Sequence, residues 1–367
     1  MASSFGMEPA VVLDNGSFSV KLGLAGEEYP RLFVRPCSET GTYMNRGLVT
    51  DWERLEKTWN QLVSKCLRLD PADRALVVTD LPLGPPSQRS RLVEVAVESL
   101  GFRAVHVTSP AVLTLYNLGR TTGLLLDVGH GSTFCQAVFE GFSLPNVTAR
   151  SPLGGLDLDD FLHRRLAPRV PFVLSNGGWL RDLECRQRYL FTLQQPTYMF
   201  SRRSPGSIAG VAEEIRYIKE KWCYVPRGDA VVGKNWTLPD GKSVPMGELS
   251  GLCGEVVMNP MAVIGRDLPG LGELLQDCLR RADIDLRRPL ASRVVLCGGT
   301  AWLPGLPIRL TRDLGLEARP AVVSSVAAWR GGSILAHSSA AFPAVTRADV
   351  AELGPQRALA QRGMLAS

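Results

Sequence analysis

Two short segments of the sequence place an aspartate before a glycine turn that carries a serine. The first reads Asp-Asn-Gly-Ser from Asp14, and the second reads Asp-Val-Gly-His-Gly-Ser from Asp127. Each segment follows a short apolar run, so we expect both aspartates at the ends of buried strands. The N–H groups of a glycine turn can converge on an anion, and a nearby carboxylate suits the hydrated Mg²⁺ that accompanies phosphates. Either segment alone is typical of a hairpin turn, but the repetition favours a phosphate site shared by two turns.

Further polar residues follow the predicted strands and helices where they could complete a nucleotide site. Lys21, on the strand that returns from the first turn, could add a positive charge beside the phosphates. A glycine pair after an apolar run lets the backbone approach a ribose or base closely. A lysine–glutamate pair on a predicted helix could reach the same ligand, although a solvated charged face is the ordinary role of such a pair. These candidates are Lys219, Glu220, Gly298, Gly299 and Thr300.

The composition limits the classes of protein to which the chain can belong. Hydrophobic residues make up 45% of the 367 residues and the net charge is +5, which is typical of a folded protein and excludes disorder as the main state. The basic residues are not clustered, so we expect no direct nucleic-acid binding. The cysteines form no CxxC pair and have no zinc-like spacing. We find neither a secretory leader nor a membrane-spanning run, and therefore expect an intracellular protein without membrane insertion.

Apolar runs and amphipathic segments alternate along most of the chain. Strands are predicted at 11–13, 21–25, 75–79, 105–107, 123–126 and 294–296. Helices are predicted at 52–66, 85–100, 110–118, 158–166, 213–224 and 271–282. Residues 170–210 have weak periodicity and are interpreted as an irregular insertion. The alternation predicts an α/β protein with a mixed sheet, and the repeated turn predicts two equivalent lobes that face each other across a cleft.

Short motifs distributed over nearly the whole chain resemble, in order, those of the actin and actin-related protein family. They lie at 12–17, 23–26, 47–52, 119–123, 140–145, 218–221, 238–241, 298–300 and 331–336. No single motif is very specific, and the resemblance rests on their number and order. Among members of the family, the sequence is most similar to the vertebrate testis-type actin-like proteins.

The resemblance implies the actin-like two-lobed ATPase fold, in which duplicated RNase H-like domains surround a nucleotide cleft. The first lobe would comprise 1–117 and 327–367, and the small subdomain after its first hairpin would be largely deleted, with a remnant at 37–46. The second lobe would comprise 118–326. Within the second lobe, 118–153 and 268–326 would be subdomain 3-like, and 154–267 would be subdomain 4-like with the insertion near 170–210.

The resemblance also implies ATP or ADP with Mg²⁺ as the cofactor. Asp14 and Asp127 would lie beside the metal and contact it through water. Gly155 and Asp157 would approach the ribose. Phosphate contacts would come from Gly16, Ser17, Lys21, Gly129 and Gly131. His130 could be a weak phosphate contact, although a turn histidine that contacts no ligand is the favoured reading. The nucleoside would be flanked by Lys219, Glu220, Gly298, Gly299 and Thr300.

Several residues depart from the family pattern at positions that matter for hydrolysis. Pro110 stands where the family has a glutamine that orients the attacking water, and Asn146 was matched to a nearby histidine of the family. His130 replaces an aspartate and Phe18 replaces a glycine, so the phosphate side is expected to be crowded. Ser325 replaces a lysine near the adenine. Because water positioning is much of the catalysis in phosphoryl transfer, the substitutions predict little or no ATPase activity, and ATP binding itself stays open.

The resemblance and the shortened 37–47 region together lead to three hypotheses for function. The preferred one is a cytoskeletal scaffold in the cytoplasm that binds protein partners of the cytoskeleton or the sperm-head matrix. Its conventional filament assembly should be weak, because the deleted loop grips the next protomer in the family's filaments. The second is an ATP-binding conformational switch with slow hydrolysis. The third is an actin-related subunit of a nuclear chromatin-remodelling complex, and a kinase of the same superfamily is the least favoured reading.

Overall fold

The computed structural model describes residues 8–38, 41–166, 208–228, 235–237, 243–338 and 342–364. Most of the predicted insertion at 170–210 lies outside these residues. None of the helices in the described ranges is both long and apolar enough to cross a membrane.

The strands lie in two principal sheets and three small hairpins. In chain order they are β1 (Val11–Asn15), β2 (Val20–Leu24), β3 (Leu32–Val34), β4 (Cys37–Ser38), β5 (Gly41–Thr42), β6 (Met44–Asn45), β7 (Leu48–Val49), β8 (Ala75–Thr79), β9 (Ala104–Thr108), β10 (Gly123–Val128), β11 (Thr133–Phe139), β12 (Phe142–Ser151), β13 (Asn235–Thr237), β14 (Ser243–Pro245), β15 (Val294–Cys297), β16 (Ala321–Val322) and β17 (Val345–Thr346). One sheet has the order β17-β9-β8-β1-β2-β3 and the other has the order β12-β11-β10-β15-β16.

Helices pack on both sheets and supply the ends that frame the cleft. They are α1 (Trp52–Asn60), α2 (Pro86–Glu94), α3 (Pro110–Asn117), α4 (Gly155–Leu166), α5 (Ile208–Trp222), α6 (Gly247–Met258), α7 (Pro260–Ile264), α8 (Leu271–Arg281), α9 (Ile284–Ala291), α10 (Leu306–Leu314), α11 (Ala327–Ser338), α12 (Arg347–Leu353) and α13 (Pro355–Gln361). Two of them continue as π-helical turns, α1 over Gln61–Cys66 and α2 over Val95–Ser99.

The two principal sheets repeat the same local topology around the two predicted turns. β1 pairs antiparallel with β2 and parallel with β8, and β10 pairs antiparallel with β11 and parallel with β15. Both sheets are therefore mixed, as predicted. Each aspartate lies inside the central strand rather than after it, with Asp14 opposite Lys21 and Asp127 opposite Phe134. A central strand has neighbours on both sides, which fixes the position of its carboxylate; Asp14 is buried and Asp127 is partly buried.

Each sheet has its own hydrophobic core. Val11, Leu13, Leu22 and Leu76 belong to the core of the six-stranded sheet, and a second core forms around β10, β11, α4, α6 and α8. We call the two halves the first and second lobes. The two lobes are those expected of the two-lobed α/β fold. The residue boundaries proposed above for each lobe and subdomain stay predictions.

Helices α3 and α11 cross between the lobes and contact both. Leu113 of α3 packs with Val12 and Trp329, whereas Leu115 on the same helix packs with Leu125 and Val295 of the second sheet. The helices approach closely at Gly331, where an added Cβ would lie 1.7 Å from the Leu113 carbonyl oxygen. A helix pair that is shared by two cores fixes how the two sheets face each other.

The segment between β3 and α1 is short, and its described residues carry two two-stranded hairpins, β4–β5 and β6–β7. Tyr43 and Met44 are buried in the core of the first lobe. The Tyr43 hydroxyl donates to Asn15 Oδ1 at 3.0 Å, so the segment is tied directly to the first turn.

Candidate nucleotide cleft

A cavity of about 410 Å³ opens between the two glycine turns. Its floor carries the two strand carboxylates, and its sides come from both lobes. The lining contains the following predicted residues: Asp14, Gly16, Ser17, Phe18, Lys21, Pro110, Asp127, Gly129, His130, Gly131, Lys219, Glu220, Gly298, Gly299, Thr300 and Ser325. The structure therefore brings together residues that are up to 311 positions apart between Asp14 and Ser325.

The first turn is organised by a buried ion pair. The Lys21 ammonium lies 2.6 Å from Asp14 Oδ2, and both side chains are almost fully buried. The Thr79 hydroxyl donates to the other carboxylate oxygen at 2.8 Å, and the Asn15 N–H donates to Thr79 at 3.0 Å. Asp14 therefore has its charge and both oxygens satisfied by the protein, and Lys21 holds its ammonium at the cleft floor.

The second turn is closed by backbone hydrogen bonds and held from below by two other segments. The Gly129 N–H donates to the Ser132 carbonyl at 3.1 Å. The Gly129 carbonyl accepts from the Gly155 N–H at 2.9 Å and from the Thr300 hydroxyl at 3.1 Å. Burial, reinforced by the nearby Asp14 charge, raises the pKa of Asp127 to about 7, and Lys21 opposes that shift.

Side chains from the two lobes contact one another in the lining of the cleft. The Phe18 ring, from the first lobe, has the Arg216 guanidinium 4.4 Å from its centroid and meets the His130 ring edge-on at 5.4 Å. Arg35 of the first lobe lies over the same ring at 5.2 Å. Burial lowers the pKa of His130 to about 3, with a further contribution from the Lys219 charge, so the imidazole is neutral at physiological pH.

The predicted nucleoside end is built by α5 and the loop after β15. The Lys219 ammonium lies 2.8 Å from Asp159 Oδ1 and donates to the Gly155 carbonyl at 3.2 Å. Lys219 is thus buried and paired, not part of a solvated charged face. Gly298 adopts a positive φ of 86°, and an added Cβ would lie 2.4 Å from the Val128 carbonyl oxygen, which explains the glycine there.

Three predicted site residues do not line the cavity. Asp157 is buried, and its carboxylate accepts from Arg46 and Arg266 rather than facing a ribose. Gly155 lies beneath the lining, because an added Cβ would meet the Thr300 hydroxyl at 2.7 Å. Asn146 is exposed on β12, beyond a register shift between Gln136 and Ala137, and the inner position near Asp127 is taken by Phe134. Asn146 therefore lies away from the cavity lining, and its match to the family's histidine stays a prediction.

Sequence reasoning missed residues that the structure places at the cleft. Arg216 lies one helical turn before Lys219 and Glu220 on α5, and that spacing could have identified it. Asp159 pairs with Lys219, and Trp302 lines the cleft near Ser325 with 58% of its surface exposed. Neither of these has a local sequence pattern that marks it, because each is brought to the cleft by tertiary packing.

The phosphate end of the cleft has the donor set that a nucleotide phosphate with hydrated Mg²⁺ needs. Two glycine turns, Lys21 and two carboxylates converge there, and within the described ranges no group of three His, Cys, Asp or Glu side chains is arranged to ligate a metal directly. Phe18, His130 and Arg216 line the same cavity and contact one another across it.

The two mixed sheets, with a glycine turn from each at a shared cleft, define the class of two-lobed proteins that hold a ligand between duplicated halves. The family model described as Actin matches residues 34–363, and the chain belongs to the actin family. Members of this family generally bind a nucleotide with Mg²⁺.

Two relatives illustrate the similarity. Actin-related protein 2 of Acanthamoeba castellanii is 33% identical over 281 residues, an alignment that covers 74% of this chain and 64% of that protein's own length. Actin-like protein 7B of Homo sapiens is 29% identical over 376 residues, covering 89% of this chain and 81% of that protein.

Proposed function

We propose that this protein is a structural scaffold with an actin fold, which binds partner proteins and does not hydrolyse ATP. The observation that carries the proposal is Pro110 in the cleft lining at the start of α3. Proline has no side-chain amide or hydroxyl, so it cannot orient a water for attack on a γ-phosphate. The apolar Phe134 ring beside Asp127 adds no group that could replace that function.

The short segment between β3 and α1 supports the second part of the proposal, weak self-assembly. A head-to-tail filament needs the same contact at every subunit, and losing that contact weakens each junction. Within the described residues 37–38 and 41–49, the segment forms two short hairpins, and Tyr43 and Met44 anchor it on the first lobe. The small size of this segment supports a weak filament contact.

The setting that we propose is the cytoskeleton, with protein partners there or in the sperm-head matrix. The similarity to an actin-like protein and an actin-related protein supports the cytoskeletal class. A nuclear role as an actin-related subunit of a remodelling complex is the alternative setting. Copurification from cells followed by mass spectrometry distinguishes them, because recovery of remodelling subunits and no cytoskeletal protein would reject the preferred setting.

A nucleotide-binding switch is a second candidate, favoured by the intact phosphate end of the cleft. Both glycine turns and Lys21 line the cavity, which is the arrangement that a Mg-nucleotide would use. In this reading ATP would bind and the lobes would respond to it.

Thermal unfolding with increasing Mg-ATP separates the two candidates. A ligand that binds only the folded chain at a hundredfold its Kd stabilises it by about 2.7 kcal/mol. The scaffold proposal expects little or no rise in Tm at millimolar Mg-ATP. A saturable rise of several degrees would favour the switch, and Mg²⁺ with an equal concentration of a non-nucleotide polyanion controls for ionic effects.

A further inference from the structure

The turn between β6 and β7 places an arginine where the backbone disfavours one. Arg46 and Gly47 are the two central residues of this hairpin, and both have positive φ, 52° and 83°. Two-residue turns of this kind favour Asn or Gly at the first position, because a larger side chain is strained there. Something outside the hairpin therefore has to hold Arg46 in place.

The side chain of Arg46 reaches across from the first lobe to the second. Its guanidinium makes two parallel hydrogen bonds to the Asp157 carboxylate, at 2.5 and 2.9 Å, and donates to the Pro152 carbonyl at 2.6 Å. The hairpin belongs to the first lobe, since Met44 packs in its core. Asp157 lies on α4 of the second lobe. The residue that follows it, Leu158, belongs to the hydrophobic core of that lobe.

The second lobe also holds the hairpin by its backbone and supplies a second cation. Arg150 of β12 donates to the Arg46 carbonyl at 2.9 Å. Arg266, between α7 and α8, donates to Asp157 Oδ1 at 2.6 Å, the oxygen that also accepts from Arg46 Nη2, and only 5% of the Asp157 side chain is exposed. The Gly154 N–H donates to Asp157 as well, at 2.8 Å. The carboxylate is thus buried, bidentate to one arginine and shared with another, which is the strong form of such a pair.

We infer that Arg46, Asp157 and Arg266 form an interlobe clasp that keeps the cleft closed without a nucleotide. The clasp brings the two glycine turns into contact, because a Cβ added at Gly131 would lie 2.7 Å from the Ser17 hydroxyl oxygen and 3.2 Å from Arg46 Cα. The clasp is not required by the scaffold proposal. The inference therefore does not depend on whether the protein binds partners as proposed.

The Phe18 stack adds a second contact across the same gap. Phe18 comes from the first lobe, and Arg216 and His130 come from the second. The stack residues line the cavity, whereas Arg46, Asp157 and Arg266 are not among the lining residues. The two sets of side chains are therefore separate contacts between the lobes.

Hydrogen–deuterium exchange of the nucleotide-stripped chain tests the clasp through peptides that cover the two turns, 14–21 and 127–133. The variants are Arg46→Gln, Asp157→Asn and Arg46→Lys, which keeps the charge but loses the two-pronged geometry. Arg164→Gln is the matched control, because it removes an exposed arginine–aspartate pair on the same helix α4. Peptides from α8 report whether the second lobe stays folded.

Arg46→Gln and Asp157→Asn are expected to speed exchange in both turns roughly tenfold to a hundredfold, since a hydrogen bond to a charged group contributes 1.5–3 kcal/mol. Arg46→Lys should lie between these variants and the wild type, and Arg164→Gln should match the wild type. Exchange within about twofold of the wild type in Arg46→Gln would overturn the inference. If neither neutral variant folds, Arg46→Lys decides alone: faster turn exchange supports the clasp, and wild-type exchange overturns it.

Discussion

Asp127 has a strongly perturbed electrostatic environment in the cleft. Its pKa is raised to about 7 by burial and by the neighbouring Asp14 charge. From the ordinary carboxyl value near 4 up to about 7, the folded chain keeps a proton that the unfolded chain releases. The free energy of unfolding therefore falls as pH rises through that window, and the full loss is present above pH 7. In Mg²⁺-free buffer no metal offsets this charge.

Replacement of Asp127 by Asn removes that titration. We expect Asp127→Asn to gain stability relative to the wild type as pH rises, by about 2 kcal/mol between pH 5.5 and pH 7.5. Urea unfolding at the two pH values without divalent cations measures the difference. Asp160→Asn, at an exposed carboxylate on α4, is the control. A relative stability of Asp127→Asn that does not change with pH would contradict the electrostatic account.

Phe18 lines the cleft and contacts side chains of the second lobe. Restoring glycine with Phe18→Gly removes the ring that Arg216 and His130 contact, and frees space between the two turns. We therefore expect Phe18→Gly to increase the rise in Tm caused by Mg-ATP relative to the wild type, by several degrees at millimolar ligand. Phe142→Gly, at an aromatic residue with 76% of its surface exposed on β12, is the control. Equal responses in the wild type and Phe18→Gly would mean that the stack does not block the cleft.

At the scale of elements, the crossing of α3 and α11 holds the two lobes together. A methyl group at Gly331 would overlap the Leu113 carbonyl, at 1.7 Å, so the helices would have to separate. We expect Gly331→Ala to lower the free energy of unfolding by about 3 kcal/mol or more. Gly272→Ala on α8, where an added Cβ meets nothing within 4 Å, should be neutral or up to about 1 kcal/mol more stable. Equilibrium urea unfolding compares them, and equal stabilities would contradict the packing argument.

The strands and helices also show which features of the fold could be predicted from the sequence. Short apolar runs and the glycine turns predicted β1, β10 and the mixed sheets correctly, because local patterning and turn chemistry agree there. The positions of the candidate site residues were harder to predict from the sequence than the strands. Asn146 lies outside the cavity lining because a register shift in β11–β12 changes which residues face inward, and no local pattern marks that shift. The resemblance places Asp157 near a ribose, and nothing in the sequence pairs it with Arg46, 111 residues away. Both assignments stay predictions.

At the scale of the whole molecule, the shortened segment of the first lobe predicts weak self-assembly. Under the salt and Mg²⁺ conditions that polymerise conventional actin, we expect the protein to stay in the supernatant after ultracentrifugation, because the proposed deletion would remove the filament loop. Conventional actin in a parallel tube is the positive control, and electron microscopy of any pellet separates ordered polymer from aggregate. Long regular filaments would show that the 37–47 segment is not the deletion proposed above.

Release of inorganic phosphate from saturating Mg-ATP tests the central claim most directly, since it measures the step that Pro110 cannot support. The account predicts that purified protein releases phosphate no faster than the protein-free buffer. It predicts the same for Pro110→Gln, because Phe18 and Phe134 still line the cleft. Sustained release by the wild-type chain, removed by mutation of Lys21 in the cleft floor, would contradict the claim that this actin-family protein has lost hydrolysis.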